Sequence, residues 1–442
     1  MNLQTKIATI VLAGLMLYMI IVSIPNVFTV ANESSLTSIR QHSYKIYNSD
    51  NDTVYQSIDK FIRQFLQREY LTGGASVAIS KDGRLVYAKG IGFSNIEDSI
   101  EMQPYNIMRV ASVSKLITAV AVMKLVEQQK IGLHQRVFGP IGVLNQERYM
   151  YFKDKRMADI TVYQLLNHSG GWTAHYGDPM FMPHAIARQM GKSLPVSMPD
   201  IIRFMQEKWM HFTPGMCSVY SNFGYGILGE VVSKASGMPY EEYVKSEVLA
   251  PLGIYDMQIG YAHKSLRLPC EVTYYEADTS HVALDILNDT LFVRRAYGGT
   301  DIQTLGSAGG WVASATDLLK LVLTIDGFND NVPDQLSALS VDTMTHYSLG
   351  FDPLGWKTTI GDSWYRSGTL AATTAMIARH PNGICYVILL NCANHRGPAL
   401  ATSLRMQFDN VINSIEDWPE IDLLADDEQW QTYKLISSKR DE

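Results

Sequence analysis

A serine and a lysine three positions apart have the types and spacing of a nucleophile and its base. Ser112 and Lys115 follow a short apolar segment and open a run of helix-forming residues that reaches Val120. Residues at i and i+3 share one helix face, so the lysine amine can reach the serine hydroxyl. A serine hydroxyl is a poor nucleophile until a base removes its proton, and a desolvated lysine can be that base. The helix N-terminus adds N–H groups and positive potential where an oxyanion would form.

The same spacing occurs a second time at Ser57 and Lys60, and roughly two copies are expected by chance in a chain of this length. Ile58 and Phe61 lie beside this copy at helical spacing, which is typical of an amphipathic helix with a solvated polar face. We therefore assign the chemistry to Ser112, because further candidate groups accompany it along the chain.

Tyr220 and Asn222 form the second candidate pair. They follow a turn at Pro214 and Gly215 and precede a helical pattern that includes Ile227. Two such side chains on a loop can point into one cavity. When a Tyr-x-Asn pair occurs alone, its tyrosine more often only packs within the loop. A nearby cation lowers the pKa of a phenol, which makes it a credible general base or acid. The asparagine amide can orient a substrate carbonyl.

The third candidate segment is Arg366-Ser367-Gly368-Thr369, which ends a strand-like stretch. Gly368 allows a backbone or a substrate to approach closely. The backbone N–H of Thr369 can donate to an oxyanion. Arg366 supplies a fixed positive charge that can bind a carboxylate through two hydrogen bonds. The alternative for Arg366 is a pairing with an acidic residue that only supports the strand.

Together the three motifs resemble those of the serine hydrolases that include class C β-lactamases and low-molecular-weight penicillin-binding proteins. In that family Ser-x-x-Lys is followed by Tyr-x-Asn and then by Lys/His-Thr/Ser-Gly. The resemblance covers about residues 55–415 and includes, in family order, the segments 161–171, 229–253 and 306–318. One departure is Arg366, because the family usually has Lys or His there and an arginine does not readily shuttle a proton. This departure weighs against β-lactamase activity more than against hydrolase activity in general.

The resemblance implies a role for each motif residue. Ser112 would form a covalent ester, and Lys115 and Tyr220 would share the role of base, with the proton acceptor left open between them. The backbone N–H groups of Ser112 and Thr369 would form the oxyanion hole. The implied substrate-binding residues are Asn222 for the acyl side chain, Arg366 for a substrate carboxylate, and Ser367 and Gly368.

The expected function is hydrolysis of an amide or ester through an acyl-serine intermediate, without a metal or cofactor. The resemblance implies cell-wall D-peptides, β-lactams, D-aminoacyl amides or small esters as substrates. The alternative is a sensor or scaffold that captures a penicillin or muropeptide stoichiometrically, with negligible turnover. A net charge of −7 and the lack of a basic patch argue against nucleic-acid binding.

An apolar segment near the N-terminus indicates export. Residues 7–24 are apolar apart from small hydroxyl residues, follow Lys6 and end at Pro25. Their length lies between that of a signal-peptide core and that of a minimal membrane span. Residues 1–31 are therefore expected to be either a cleaved signal peptide or a membrane anchor, with the catalytic part periplasmic or extracellular. Residues 32–55 are polar and are expected to form a linker.

The predicted fold is α+β, a β-lactamase/transpeptidase-like α/β sandwich in which helices flank an antiparallel sheet. The domain is expected to span residues 56–415, with a helix-rich lobe inserted at about 130–300. An Asp82-Gly83 turn predicts a hairpin. The predicted elements are strands at 75–80, 84–88, 362–369, 372–379 and 384–391 and helices at 56–69 and 398–415. The acidic tail, 416–442, is expected to be either a short cap or a frayed extension, and the four cysteines are expected to be buried free thiols.

Overall fold

The computed structural model describes residues 53–346, 348–360 and 362–438, which belong to one compact unit. The predicted leader and all but the last residues of the predicted linker lie outside the described residues. The strands are β1 Gly74–Lys81, β2 Arg84–Asn95, β3 Ile100–Glu101, β4 Met108–Arg109, β5 Gln258–Ile259, β6 Tyr275–Glu276, β7 Val282–Asp285, β8 Asn288–Arg294, β9 Trp311–Ala313, β10 Thr358–Ile360, β11 Ser363–Leu370, β12 Thr373–Arg379, β13 Ile384–Leu390 and β14 Cys392–Ala393. The helices are α1 Thr53–Arg68, α2 Ser114–Glu127, α3 Val162–Leu166, α4 Pro183–Met190, α5 Met198–Gln206, α6 Asn222–Ser236, α7 Tyr240–Tyr243, α8 Ile302–Gly309, α9 Ala315–Leu323, α10 Ala338–Thr345, α11 Pro398–Asn413 and α12 Glu428–Ser438.

The centre of the fold is an antiparallel sheet with the strand order β10-β11-β12-β13-β1-β2-β3. The strand β13 lies in its middle, and all seven of its residues are buried. Tyr386 and Ile388 face a cluster with α1 and α11, in which the rings of Tyr386 and Phe408 are 4.9 Å apart. Cys385 and Val387 face the opposite cluster, which contains α2 and α9. Helices thus cover both faces, and the predicted α+β fold is confirmed.

The β1–β2 hairpin turns at the predicted dipeptide. Asp82 and Gly83 have φ angles of 50° and 72°, and Lys81 pairs with Arg84. A two-residue hairpin needs a turn whose twist matches that of the strands, and this turn has positive φ at both central residues. Asp-Gly is favoured there because both residues tolerate positive φ.

The helix-rich region between residues 130 and 300 shares its apolar core with the sheet. Val162 in α3, Ile202 in α5 and Leu228 in α6 belong to the same buried cluster as Val387 of β13. The helix α2 carries the predicted nucleophile segment and is buried along nearly its whole length. This common core holds the loops that precede α2 and α6 close to one end of β11.

The C-terminal segment packs on the domain as far as Tyr433. Trp430 is fully buried, and the carboxylate of Asp427 lies 2.5 Å from the buried ammonium of Lys320 in α9. Of the two alternatives for the tail, the described residues therefore form a cap.

Two further sequence expectations concern the leader and the cysteines. In the described part of the chain no helix combines the length and the apolar character needed to cross a bilayer, and the predicted leader, 1–31, lies outside that part. Cys385 and Cys392 are buried thiols as expected. Cys270 is exposed and Cys217 is half-buried, so the expectation of burial is wrong for these two, because both lie in surface loops.

Candidate active site

The predicted nucleophile lies in a tight turn that leads into α2. Residues Ala111–Val113 form a single 3-10 turn before the helix, and Ala111 has a φ of 49°. A residue with a Cβ in this left-handed region is strained by about 1–2 kcal/mol. Contacts from β11 support the turn, because the Nε of Arg366 donates to the backbone carbonyl of Ser112 at 3.0 Å. Gly368 lies so close that an added Cβ would be 2.2 Å from the carbonyl oxygen of Val110.

The structure brings Ser112, Lys115 and Tyr220 together. The hydroxyl oxygens of Ser112 and Tyr220 are 2.6 Å apart, and the Nζ of Lys115 is 3.4 Å from the Ser112 hydroxyl. Lys115 is fully buried, and its Nζ lies 4.8 Å from the centre of the Tyr220 ring. The spacing argument for Ser112 and Lys115 therefore describes the actual geometry.

Two further acceptors determine how the lysine amine is oriented. The Nζ of Lys115 donates to the carbonyl of Ala308 at 2.5 Å and to the Oδ1 of Asn222 at 2.7 Å. Ala308 lies in the glycine-rich segment of α8, where the helix kinks at Gly306. A neutral amine has two N–H bonds and one lone pair, so these two acceptors would leave its lone pair for the Ser112 hydroxyl.

The surroundings shift the pKa values of both candidate bases toward neutrality. Burial, reinforced by the positive charge of Arg366, lowers the pKa of Lys115 to about 8. Burial alone would raise the pKa of Tyr220, but the charges of Lys115 and Arg366 outweigh it, and the net pKa is lowered. The residue Tyr220 is 39% exposed along its ring, while its hydroxyl faces Ser112. Both pKa values are thus lowered, which favours the basic form of either group at neutral pH.

Asp178 is a site residue that the sequence analysis missed. Its Oδ2 accepts from the Nδ2 of Asn222 at 2.7 Å, and its Oδ1 accepts from the backbone N–H of Met180 at 3.0 Å. Because the Oδ1 of Asn222 accepts from Lys115 while its Nδ2 donates to Asp178, the two neighbours together fix the orientation of the amide. No spacing signal links Asp178 to Asn222, since Asp178 lies in a loop far from the start of α6, where Asn222 lies.

His168 contacts the loop that carries Tyr220. Its Nδ1 accepts from the backbone N–H of Ser221 at 3.2 Å, and its ring centre is 4.7 Å from that of Tyr220. Burial, together with the charges of Arg366 and Lys115, holds the pKa of His168 well below its usual value. The imidazole is therefore neutral and adds no further charge beneath the site.

A cavity of about 360 Å³ opens in front of Ser112. An adjoining groove of about 630 Å³ shares Phe181, Thr369 and Leu370 with it. Ser112 and Thr369, whose backbone N–H groups are the predicted oxyanion-hole donors, both line the cavity of about 360 Å³. The other predicted substrate-binding residues on its wall are Asn222, Arg366 and Ser367, and Gly368 is packed behind it.

Arg366 lies on the cavity wall and also contacts the nucleophile turn. The guanidinium borders the cavity, but the residue is only 2% exposed. Its Nε donates to Ser112 as described, and its Nη1 donates to the carbonyl of Trp356 at 3.4 Å. The guanidinium is thus oriented by backbone carbonyls, and among the described residues it forms no salt bridge. Its Nη2 has no hydrogen-bond partner among the described residues, so the contact with a substrate carboxylate stays a prediction. The described residues do not include the acidic partner that the alternative expected.

The second Ser-x-x-Lys copy lies in α1, away from this cavity. The Ser57 hydroxyl donates to the carbonyl of Val54 at 2.7 Å, within the helix. In the described ranges no group of three or more His, Cys, Asp or Glu side chains is arranged to hold a metal ion.

A serine, a lysine and a tyrosine gathered at the end of a helix-covered antiparallel sheet define the class of β-lactamase-like serine hydrolases. The Beta-lactamase family model matches residues 58–407, and the chain belongs to this family. Its members include the penicillin-binding-protein homologues that the sequence motifs resemble.

Similar proteins carry several activities. Protein flp of Staphylococcus aureus (strain COL) is 23% identical over 370 residues, which cover 80% of this chain and 66% of that protein. The structure of the octameric penicillin-binding protein homologue from Pyrococcus abyssi matches with a TM-score of 0.59 and 25% identity, covering 81% of this chain and 78% of that one. The D-amino acid amidase from Ochrobactrum anthropi SV3 matches with a TM-score of 0.61 and 18% identity, covering 82% and 98%. This chain thus spans slightly less than two thirds of Protein flp.

Proposed function

We propose that this protein is an exported serine hydrolase that cleaves an amide or ester through an acyl-Ser112 intermediate. The observation that carries the proposal is the 2.6 Å contact between the Ser112 and Tyr220 hydroxyls beside the buried amine of Lys115. The export proposal is supported by the apolar segment 7–24 of the sequence alone. Cell-wall D-peptides, β-lactams, D-aminoacyl amides and small esters are the candidate substrates.

The proposed reaction has two half-reactions at one serine. The Ser112 oxygen attacks the substrate carbonyl carbon while its proton passes to the Lys115–Tyr220 pair. The tetrahedral intermediate collapses, the bond to the leaving group breaks, and the pair returns the proton to that group. Water then attacks the ester in the same way and releases the acid and free Ser112. The 2.6 Å distance to Tyr220 supports direct transfer to the phenolate, and the free lone pair of a neutral Lys115 supports transfer to the amine.

Charge on the tetrahedral oxygen requires donors that are already in place. The N–H groups of Ser112 and Thr369 are the proposed donors, and the loss of one such donor typically costs about 3–4 kcal/mol of barrier. Arg366 would keep the turn in position through its bond to the Ser112 carbonyl. Asn222 would keep the Lys115 amine directed at Ser112, which leaves only part of its amide for the predicted contact with the acyl group.

A labelling experiment tests the proposal. A fluorophosphonate or penicillin probe should label the wild-type protein and Ser57→Ala, while Ser112→Ala should remain unlabelled. Equal labelling of Ser112→Ala would refute the assignment of the nucleophile. A panel containing a chromogenic ester, a β-lactam and a D-Ala-D-Ala peptide then separates turnover from a single stoichiometric burst. A burst without turnover on every substrate would favour the sensor or scaffold.

A further inference from the structure

The hairpin formed by β7 and β8 leaves one strand edge open. Among the described residues these two strands pair only with each other, and Ala283 lies opposite Val293. One face of the hairpin packs on the turn after β8, where a Cβ added to Gly299 would be 2.9 Å from that of Ala283. The outer edge of β8 runs over seven residues, and a two-stranded hairpin is only marginally stable by itself.

Several exposed side chains of this hairpin are apolar. Leu291 and Phe292 of β8 are 51% and 65% exposed, and Val282 of β7 is 53% exposed. Phe292 lies opposite Leu284, and because side chains alternate along a strand, both point away from Gly299. Apolar edge strands are sites at which chains pair with one another, and exposed apolar patches mark interaction surfaces. The open edge of β8 therefore suits the strand of another protein molecule.

The sequence of β8 is self-complementary when two copies run antiparallel about Phe292. In that register Phe292 lies opposite Phe292 of the other copy, and Leu291 lies opposite Val293. Aromatic and apolar pairs directly across two strands stabilise a sheet. A two-fold axis at Leu291 would instead place Val293 opposite Asp289, and an axis at Val293 would place Leu291 opposite Arg295. Of these three registers, only the first gives each apolar residue an apolar partner.

Opposite charges at the two ends of β8 support the same register. Asp289 is exposed, and Arg295 follows the strand with 49% of its side chain exposed. The axis at Phe292 places each Asp289 opposite Arg295 of the other copy. The Nε of Arg295 is 3.8 Å from the carboxylate of Glu276, which is too long for a hydrogen bond. The guanidinium can therefore bind a second carboxylate.

We propose that β8 pairs antiparallel with β8 of a second copy of this chain, with the two-fold axis at Phe292. The two hairpins then form one four-stranded sheet in the order β7-β8-β8-β7. Leu284 and Phe292 of both copies form an apolar row across one face of this sheet, which supplies the additional strands that a lone hairpin needs for stability. Ala283 and Arg295 line the groove of about 630 Å³, so the pairing also holds that wall of the groove in place.

Disulfide formation between copies tests the position of the axis. The full chain is used with Cys270→Ser, which removes the exposed native thiol. Phe292→Cys places two cysteines directly opposite each other, at a Cα separation of about 4.5–5.5 Å that a disulfide can bridge. Leu291→Cys is the matched control, because its two copies would lie diagonally, about 7–8 Å apart. A mild oxidant should link Phe292→Cys into dimers at least fivefold more than Leu291→Cys.

The affinity of the pair gives a second measurement. Phe292→Asp puts two like charges directly opposite each other, which destabilises the pairing, and should raise the dimer dissociation constant at least tenfold. Sedimentation velocity in a density-matched detergent measures this constant for the full chain, and thermal unfolding shows that each variant is folded. Leu339→Asp is the control, since Leu339 lies in α10 and is 76% exposed, and it should leave the constant unchanged.

Three results would overturn the pairing. The first is equal linking of Phe292→Cys and Leu291→Cys, or no linking of Phe292→Cys. The second is a wild-type chain that stays monomeric at every concentration, which would leave the edge of β8 to another segment of this chain or to a different partner. The third is an equal rise of the dissociation constant in Phe292→Asp and Leu339→Asp.

Discussion

Replacement of Gly368 by alanine should inactivate the protein with a limited effect on stability. The added Cβ would lie 2.2 Å from the Val110 carbonyl oxygen and 2.8 Å from the backbone nitrogen of Ser112. Carbon atoms in ordinary contact sit about 3.5 Å from such neighbours, so β11 and the nucleophile turn must separate by about 1 Å. A misplacement of about 1 Å typically costs 10²-fold in rate. The same overpacking should cost about 1–3 kcal/mol of unfolding free energy.

The rate of fluorophosphonate labelling at Ser112 measures this displacement directly, and thermal unfolding shows that the variant is folded. Gly132→Ala is the matched control, because the nearest atom to its added Cβ is 3.8 Å away. Both glycines have negative φ, so backbone strain does not separate them. If folded Gly368→Ala were labelled within twofold of the wild-type rate, the close packing of β11 on the turn would not position the nucleophile.

Three further predictions concern charges in the described structure. If Lys115 is the base, the kcat/KM profile should fall below about pH 8, where the amine becomes protonated. Asp178→Asn should lower kcat and move this fall to lower pH, because the carboxylate of Asp178 raises the pKa of Lys115. A pH profile that does not move would assign the fall to another group. Burial raises the pKa of Asp326 to about 8, above its value of about 4 in the unfolded chain, so stability is lost as the pH rises from about 4 to 8. The free energy of unfolding of Asp326→Asn should therefore exceed that of the wild type by at least about 2 kcal/mol at pH 8.5 and nearly equal it at pH 4. Equal urea-unfolding curves at pH 8.5 would contradict this. Lys320→Met should cost about 3–5 kcal/mol in urea unfolding, because it removes one partner of the buried ion pair with Asp427. A loss below 1 kcal/mol would show that the ion pair does not hold the cap.

The features that the sequence predicts well are those that local geometry determines. Ser112 and Lys115 meet because one helical turn separates them, and Asp82-Gly83 forms a hairpin because the turn type demands positive φ at both positions. The strands β12 and β13 were recognisable as short apolar runs between turn residues. Their order in the sheet was not predicted, because these local signals do not specify which strands pair.

The features that the sequence does not predict depend on tertiary neighbours. Asp178 orients Asn222 from another loop, and no spacing rule connects the two. The burial of Arg366 could not be read from its residue type, because a charged side chain is usually exposed. Its bond to the Ser112 carbonyl could not be predicted either, while its contact with a substrate stays a prediction. The packing of the tail around Trp430 likewise depends on a surface formed by distant helices.

The position of β13 has a consequence for synthesis of the chain. It pairs on one side with β1, so that Lys81 lies opposite Ile384, and the ribosome makes the two about 300 residues apart. At about 5–20 residues per second, the β1–β2 hairpin exists for roughly 15–60 s before its neighbour appears. Throughout that interval the apolar edge of β1 is open to pairing with another chain. A binding factor or rapid transport of the unfolded chain would protect it, and slower translation should increase aggregation of the nascent protein.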